Sequence, residues 1–136
     1  MNKFALLVCF MLSLPGLSAT AQRRPKGKSS RHKTVRSELG TASFYADKFQ
    51  GRLTASGVRY DKNKMTCAHN SLPMGTWLKV TNLLTHRSVN VKVIDRLHRN
   101  NTRLVDLSRI AARKLGIIGR GIARVKVEVL RKKPRS

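Results

Sequence analysis

Three stretches of this chain alternate apolar and polar residues so regularly that they leave little choice of fold. They are Trp77-Leu78-Lys79-Val80-Thr81-Asn82, Ser88-Val89-Asn90-Val91-Lys92-Val93-Ile94 and the run IARVKVEVL from Ile122 to Leu130. A period of two puts successive side chains on opposite faces of an extended chain, so each run predicts a strand with one buried face. The first two are separated by a short connection and predict a hairpin. In the third, Val125, Val127 and Val129 share a face while Ile122 is out of phase; it is expected to be the closing strand. Thr41 to Ala46 reads as a further strand, with Ala42, Phe44 and Ala46 on one face and Ser43 and Tyr45 on the other, and Met65 to His69 as another. One helix interrupts the series: Ser108 can cap it, Ile110, Ala111 and Leu115 recur at helical spacing, and Gly116 ends it. Short strands with a single helix predict a mainly β, closed barrel, because closure removes the exposed edges that a β protein must otherwise protect.

The alternating pattern occupies residues 40–131, one domain of roughly 90 residues, near the lower limit for a core without disulfides. Ahead of it, MNKFALLVCFMLSLPGLSATAQ has an early lysine, an apolar run and small residues ending Ala19-Thr20-Ala21. That order predicts a cleavable secretory signal over residues 1–21, and the apolar run is too short for the roughly 20 residues that span a bilayer. The mature chain is therefore expected to be exported to the periplasm or cell envelope with no transmembrane segment. Its one remaining thiol, Cys67, can form no internal disulfide and is expected to be a small buried core residue. Residues 22–39 and 132–136 read as a disordered basic linker and a basic tail.

The sequence holds 29 Lys and Arg against 6 Asp and Glu, a formal net charge of +23. Such a surface attracts a polyanion. Nucleic acid is disfavoured by the expected export and the few aromatic side chains available for base stacking; the anionic cell envelope, reached through the basic linker, fits the compartment. His32, His86 and His98 are scattered without metal-ligand spacing, so neither a metal nor another cofactor is expected.

The segments GTASFYADKFQGRLTASG, TCAHNSLPMGTWLKVTNL, RSVNVKVIDR and LVDLSRIAARKLG, followed by GIARVKVEVL, occur in the order found in one known family. In them the chain resembles the double-psi β-barrel domain of the rare lipoprotein A (RlpA) family, septal-ring lytic transglycosylases. The resemblance implies a six-stranded double-psi β-barrel. It also implies endolytic cleavage of peptidoglycan glycan strands, lacking stem peptides, to 1,6-anhydro-N-acetylmuramic acid ends. Carried over position by position, it assigns Asp95 as catalytic acid and base and His69 as its catalytic partner. Thr54, Tyr60, Arg96 and Asp106 are substrate-binding candidates if the groove runs past them. Asp106 can alternatively favour the start of the helix through its dipole, and Arg96, next to Asp95 in a strand, is expected to point away from it.

Departures from the family pattern concentrate near Asp95. The position of the family's glutamate is Val58, and Ile94-Asp95-Arg96-Leu97-His98 replaces the usual N-D-R-G-P; the Asn-Gly hairpin tip is replaced near Thr85-His86. A lytic transglycosylase activates no water, so one carboxyl group can serve as acid and base while the sugar's own 6-hydroxyl closes the ring. Ordinary glycosidases need two carboxyl groups. The alternative is a non-catalytic peptidoglycan-binding barrel, with activity lost at Val58. A third class is a cationic envelope-disrupting or nucleic-acid-binding protein whose barrel merely displays charge.

Overall fold

A computed structural model of the chain describes Gly16 and residues 36–135. The expected signal peptide, and the linker up to residue 35, lie outside the described residues apart from Gly16. Among the described residues, strands β1 (Ser37–Phe44), β2 (Thr66–Ala68), β3 (Trp77–Asn82), β4 (Ser88–Asp95), β5 (Val105–Leu107) and β6 (Ala123–Leu130), with helix α1 (Arg109–Leu115), make up the regular structure. The strands close into a barrel in the order β1-β5-β2-β4-β3-β6. Pairs β1·β5 and β2·β4 are parallel, and the other four are antiparallel.

The expected hairpin is β3 with β4, in register from Trp77 opposite Lys92 to Thr81 opposite Ser88. Alternation places Leu78, Val80, Val89, Val91, Val93, Val125 and Val127 in the interior, where they pack with Ala42, Cys67, Val105 and Leu107. Burying each of the larger side chains contributes about 1.5–3 kcal/mol. Cys67 is a free, fully buried thiol, and burial pushes its pKa up, so it stays protonated inside the core.

Helix α1 closes one side of the core through Ala111, Ala112 and Leu115. Ser108 accepts a hydrogen bond from the Ala111 N–H, and Gly116 ends the helix in the left-handed conformation at φ 80°. Strand boundaries differ from the sequence reading at several places. Strand β1 begins at Ser37, four residues before the expected start at Thr41, because Ser37, Glu38 and Leu39 pair with Glu128, Val127 and Lys126 of β6. It ends at Phe44, leaving Tyr45 and Ala46 outside the strand. Strand β5 was not predicted, because three residues directly ahead of a helix cap are too few to establish alternation.

A register shift between Cys67 and Ala68 marks the join of β2 to β4. Cys67 faces Val93 and Ala68 faces Asp95, so Ile94 is the extra residue. Bulges of this kind re-aim the side chains beside them. This one lies at the C-terminal end of β4, where Asp95 sits.

Candidate functional site

Asp95 is held by three neutral donors. The Tyr45 hydroxyl donates to Oδ2 at 2.6 Å, and the Ala55 and Arg96 backbone N–H groups both donate to Oδ1 at 2.9 Å. Its own carbonyl accepts from the His69 N–H at 3.0 Å. Among the described residues no basic side chain forms an ion pair with it. The Arg96 guanidinium turns away and donates to the His69 carbonyl at 2.7 Å.

Ala55 reaches Asp95 because residues 51–60 fold into a small hairpin of their own. Leu53 bridges Arg59, Gly51 N–H donates to the Tyr60 carbonyl, and Tyr60 N–H donates to the Arg52 carbonyl. Gly57 turns the chain at φ 84°, a conformation that suits glycine. Thr54 Oγ1 bonds the Val58 carbonyl, which also accepts from the Thr54 N–H, and the turn so fixed aims Ala55 N–H at the carboxylate and Ser56 N–H at the Ile94 carbonyl.

Around Asp95 lies a cleft of about 740 Å³. Tyr45, Phe49, Thr54 and Tyr60 line it, with Asp95, Arg96, Arg103 and Asp106 across from or beside them. Tyr45 packs its ring on Tyr60 at 4.5 Å between centroids and meets Phe49 edge-on at 5.8 Å. Burial first, and then the hydrogen bond to Asp95, push the Tyr45 hydroxyl far above its ordinary pKa, so it stays a proton donor.

The structure distributes the sequence-predicted residues unevenly. Asp95, Thr54, Tyr60, Arg96 and Asp106 all line the cleft. Tyr60, however, is only 2 % exposed, and its hydroxyl accepts from the Arg109 N–H at 3.2 Å. That hydroxyl ties the cleft floor to the start of α1. Burial raises the Tyr60 pKa as well. Asp106 stands in β5 and is gripped by Arg103 through two hydrogen bonds, of 2.8 and 3.0 Å. The helix cap is Ser108, not Asp106.

His69 is the largest departure. Its ring is 3 % exposed and is absent from the cleft lining; Nδ1 accepts from the Ser71 and Leu72 N–H groups at 3.2 and 3.3 Å. Burial lowers its pKa, so the ring is neutral with its proton on Nε2, an atom that has no partner among the described residues. The hydrogen bond between His69 and Asp95 is a backbone one. Val58 is 51 % exposed and is likewise absent from the lining. Sequence reasoning missed Tyr45 and Arg103 as site residues. Alternation set Tyr45 opposite Phe44, but nothing in the sequence links it to a carboxylate 50 residues away. Among the described residues no group of three or more His, Cys, Asp or Glu could hold a metal ion.

Comparison with known proteins gives the following. A family described as lytic transglycolase matches residues 37–127. Proteins named endolytic peptidoglycan transglycosylase RlpA are similar: that of Pasteurella multocida is 48% identical over 91 residues, covering 67% of this chain and 31% of the relative. That of Neisseria meningitidis is 44% identical over 91 residues, covering 67% and 38%, and that of Vibrio cholerae 40% over 118 residues, covering 87% and 42%. The chain thus spans less than half the length of these relatives. Among solved structures, apo Clavibacter michiganensis expansin is similar at a TM-score of 0.58 and 26% identity, over 74% of this chain and 53% of that one. A mutant of that expansin in complex with cellohexaose gives 0.57 and 25%, over 74% and 54%. The Streptomyces papain inhibitor, at 0.58 and 21% identity over 71% and 97%, shares the fold.

Proposed function

Because the chain belongs to the lytic transglycolase family, as an RlpA-type double-psi β-barrel, we propose that it is an exported endolytic transglycosylase of peptidoglycan glycan strands with Asp95 as its acid and base. The observation that carries this reading is a carboxylate in an open cleft, held by three neutral donors and by no cation. A carboxylate offers about four lone-pair positions. Two donors occupy Oδ1 and one occupies Oδ2, so the vacant position, and the proton to be transferred, belong to Oδ2.

The reaction then runs without water. The Oδ2 proton passes to the glycosidic oxygen as the bond from that oxygen to C1 breaks. The muramoyl C6 hydroxyl closes on C1 and returns its proton to Oδ2, leaving the 1,6-anhydro ring and a carboxyl group ready for the next cycle. Tyr45 and the Ala55 N–H orient the carboxyl group throughout, and general acid–base transfer of this kind contributes about 10²- to 10⁴-fold. His69 acts through the backbone, fixing the Asp95 carbonyl. Export rests on the signal-like first residues, and the basic linker would concentrate the protein at the anionic envelope.

One observation favours a second reading. At the family's glutamate position stands Val58, half exposed on the very turn that carries Ala55. In that reading the barrel binds glycan without cutting it, and the expansin solved with cellohexaose is a polysaccharide-bound neighbour of the same fold. Incubating the purified mature protein with sacculi and analysing the products by mass spectrometry separates the two. The catalytic reading expects anhydro-ended glycans; binding without them supports the second. A large gain on Val58→Glu would trace the deficit to that one carboxylate.

A further inference from the structure

Away from the cleft, the turn between β3 and β4 holds two leucines in water. Leu83 is 38 % and Leu84 66 % exposed. The backbone of this turn is fixed: Asn82 Oδ1 accepts from the Leu84 and Thr85 N–H groups, Asn82 Nδ2 donates to the Leu115 carbonyl, and the Leu83 N–H donates to the Arg124 carbonyl. Leu83 and Leu84 form one wall of a groove of about 490 Å³. Its other wall is made by Ile117, Arg120, Ala123 and Arg124, from the connection after α1 and the start of β6. The Arg87 guanidinium lies over Gly116, which also lines the groove. Arg87, Arg120 and Arg124 have no carboxylate partner among the described residues. No Asp or Glu occurs between residues 62 and 94 or between 107 and 127, the segments that supply both walls.

Charge decides what such a surface can meet. A second copy of this chain would set one arginine cluster against another. An extended peptide finds no strand edge to join, because the barrel is closed. An anionic bilayer offers both complements at once: phosphates for the arginines and, just beneath them, an apolar layer for the leucines. We infer that the Leu83-Leu84 turn, with Arg87, Arg120 and Arg124 beside it, is a peripheral docking site for an anionic phospholipid surface. The inference goes beyond the proposed function and does not depend on it. The turn lies just ahead of Ser88, the first residue of β4, and Asp95 is the last of its eight residues. That strand therefore sets the docking site roughly 20 Å from the acid, which leaves the cleft clear of the lipid.

The test is sedimentation of the purified mature protein with vesicles of phosphatidylglycerol and phosphatidylcholine mixed one to three, and with vesicles of phosphatidylcholine alone. Binding is expected to the first and not to the second. The basic linker also attracts anionic lipid, so the variants must separate the two contributions. Leu83→Ser with Leu84→Ser keeps every charge and should weaken binding to the anionic vesicles about tenfold, since two leucines no longer leave water. Arg120→Gln with Arg124→Gln should weaken it more than Lys62→Gln with Lys64→Gln, which removes the same charge beside the start of α1. Thermal melts confirm that each variant is folded. An environment-sensitive fluorophore on Thr85→Cys should shift to the blue on anionic vesicles, whereas the same label on Lys48→Cys, at the cleft, should not; buried Cys67 is shielded from the label. Undiminished binding by the leucine variant, or equal losses from the arginine and lysine pairs, would leave the linker as the source of attraction and overturn the site. Equal shifts at the two labels would overturn it as well. So would binding of an acidic peptide, dependent on the same leucines and arginines, by a protein that ignores the vesicles; the surface would then belong to a protein partner.

Discussion

Asp95 is the residue around which the local hydrogen bonding is organised, and Tyr45 is the side chain that reaches it. Removing that hydroxyl leaves Oδ2 without its donor and the carboxyl group free to rotate. Tyr45→Phe is therefore expected to slow formation of anhydro ends by about ten- to a hundredfold, the range for a hydrogen bond to a charged group, with little change in KM. Unchanged turnover would show that Ala55 and Arg96 suffice to orient the acid. His69 makes a separate prediction. Burial holds its imidazole below the ordinary value of about 6.5; Glu38 opposes that shift, and Arg96 and Arg36 add to it. Below that pH the unfolded chain takes up a proton that the folded barrel refuses, so stability is full above about pH 6.5 and falls as the pH drops toward the folded pKa. His69→Asn keeps an acceptor for the Ser71 and Leu72 N–H groups but cannot titrate. Its melting temperature should vary less between about pH 7.5 and 5.5 than that of the unaltered protein, and equal slopes would remove His69 as the source.

At the scale of elements, the β3–β4 turn carries a visible strain. His86 adopts φ 61°, the left-handed region, while Asn82 accepts at its Oδ1 from the Leu84 and Thr85 N–H groups and donates from Nδ2 to the Leu115 carbonyl. The hairpin tip is thereby fastened to the end of α1. His86→Gly relieves the left-handed side chain and is expected to raise stability by about 0.5–1 kcal/mol in a denaturant titration; a loss would mean that the imidazole makes a compensating contact. Elements with several alternating residues, such as β3, β4 and β6, and the helix with both its caps, were legible in the sequence. Strand β5 was not, because pairing on both sides, with β1 and β2, rather than any pattern of its own makes Val105–Leu107 a strand. The start of β1 was hidden for the opposite reason. Glu38 and Arg36 read as a continuation of the basic tract, yet Glu38 pairs with Val127 and accepts from Arg36 at 3.1 Å. For the site, position-by-position resemblance pointed to Asp95, and Asp95, Thr54 and Asp106 line one cleft. The burial of His69 was not legible, because burial of one side chain next to a short strand depends on what the rest of the barrel places over it.

For the molecule as a whole, barrel closure and charge divide the work. The closed sheet brings the end of β4, the 51–60 hairpin and β5 to one cleft, so residues far apart in sequence line one site. The net charge of +23 acts at longer range: under the proposed function it would raise the local concentration at an anionic wall and be screened by salt, whereas proton transfer at Asp95 would not. Binding to sacculi should therefore weaken with salt more steeply than the rate per bound molecule. The most direct measurement compares anhydro-ended glycan released from sacculi by the unaltered protein and by Asp95→Asn, at matched binding. The Asn side chain keeps an acceptor for the Ala55 and Arg96 N–H groups, replaces the acceptor of the Tyr45 hydroxyl with an amide NH2, and has no proton it can transfer and recover. Release by the unaltered protein that disappears in Asp95→Asn is the predicted result; equal release by both would contradict the assignment of Asp95 as the acid and base.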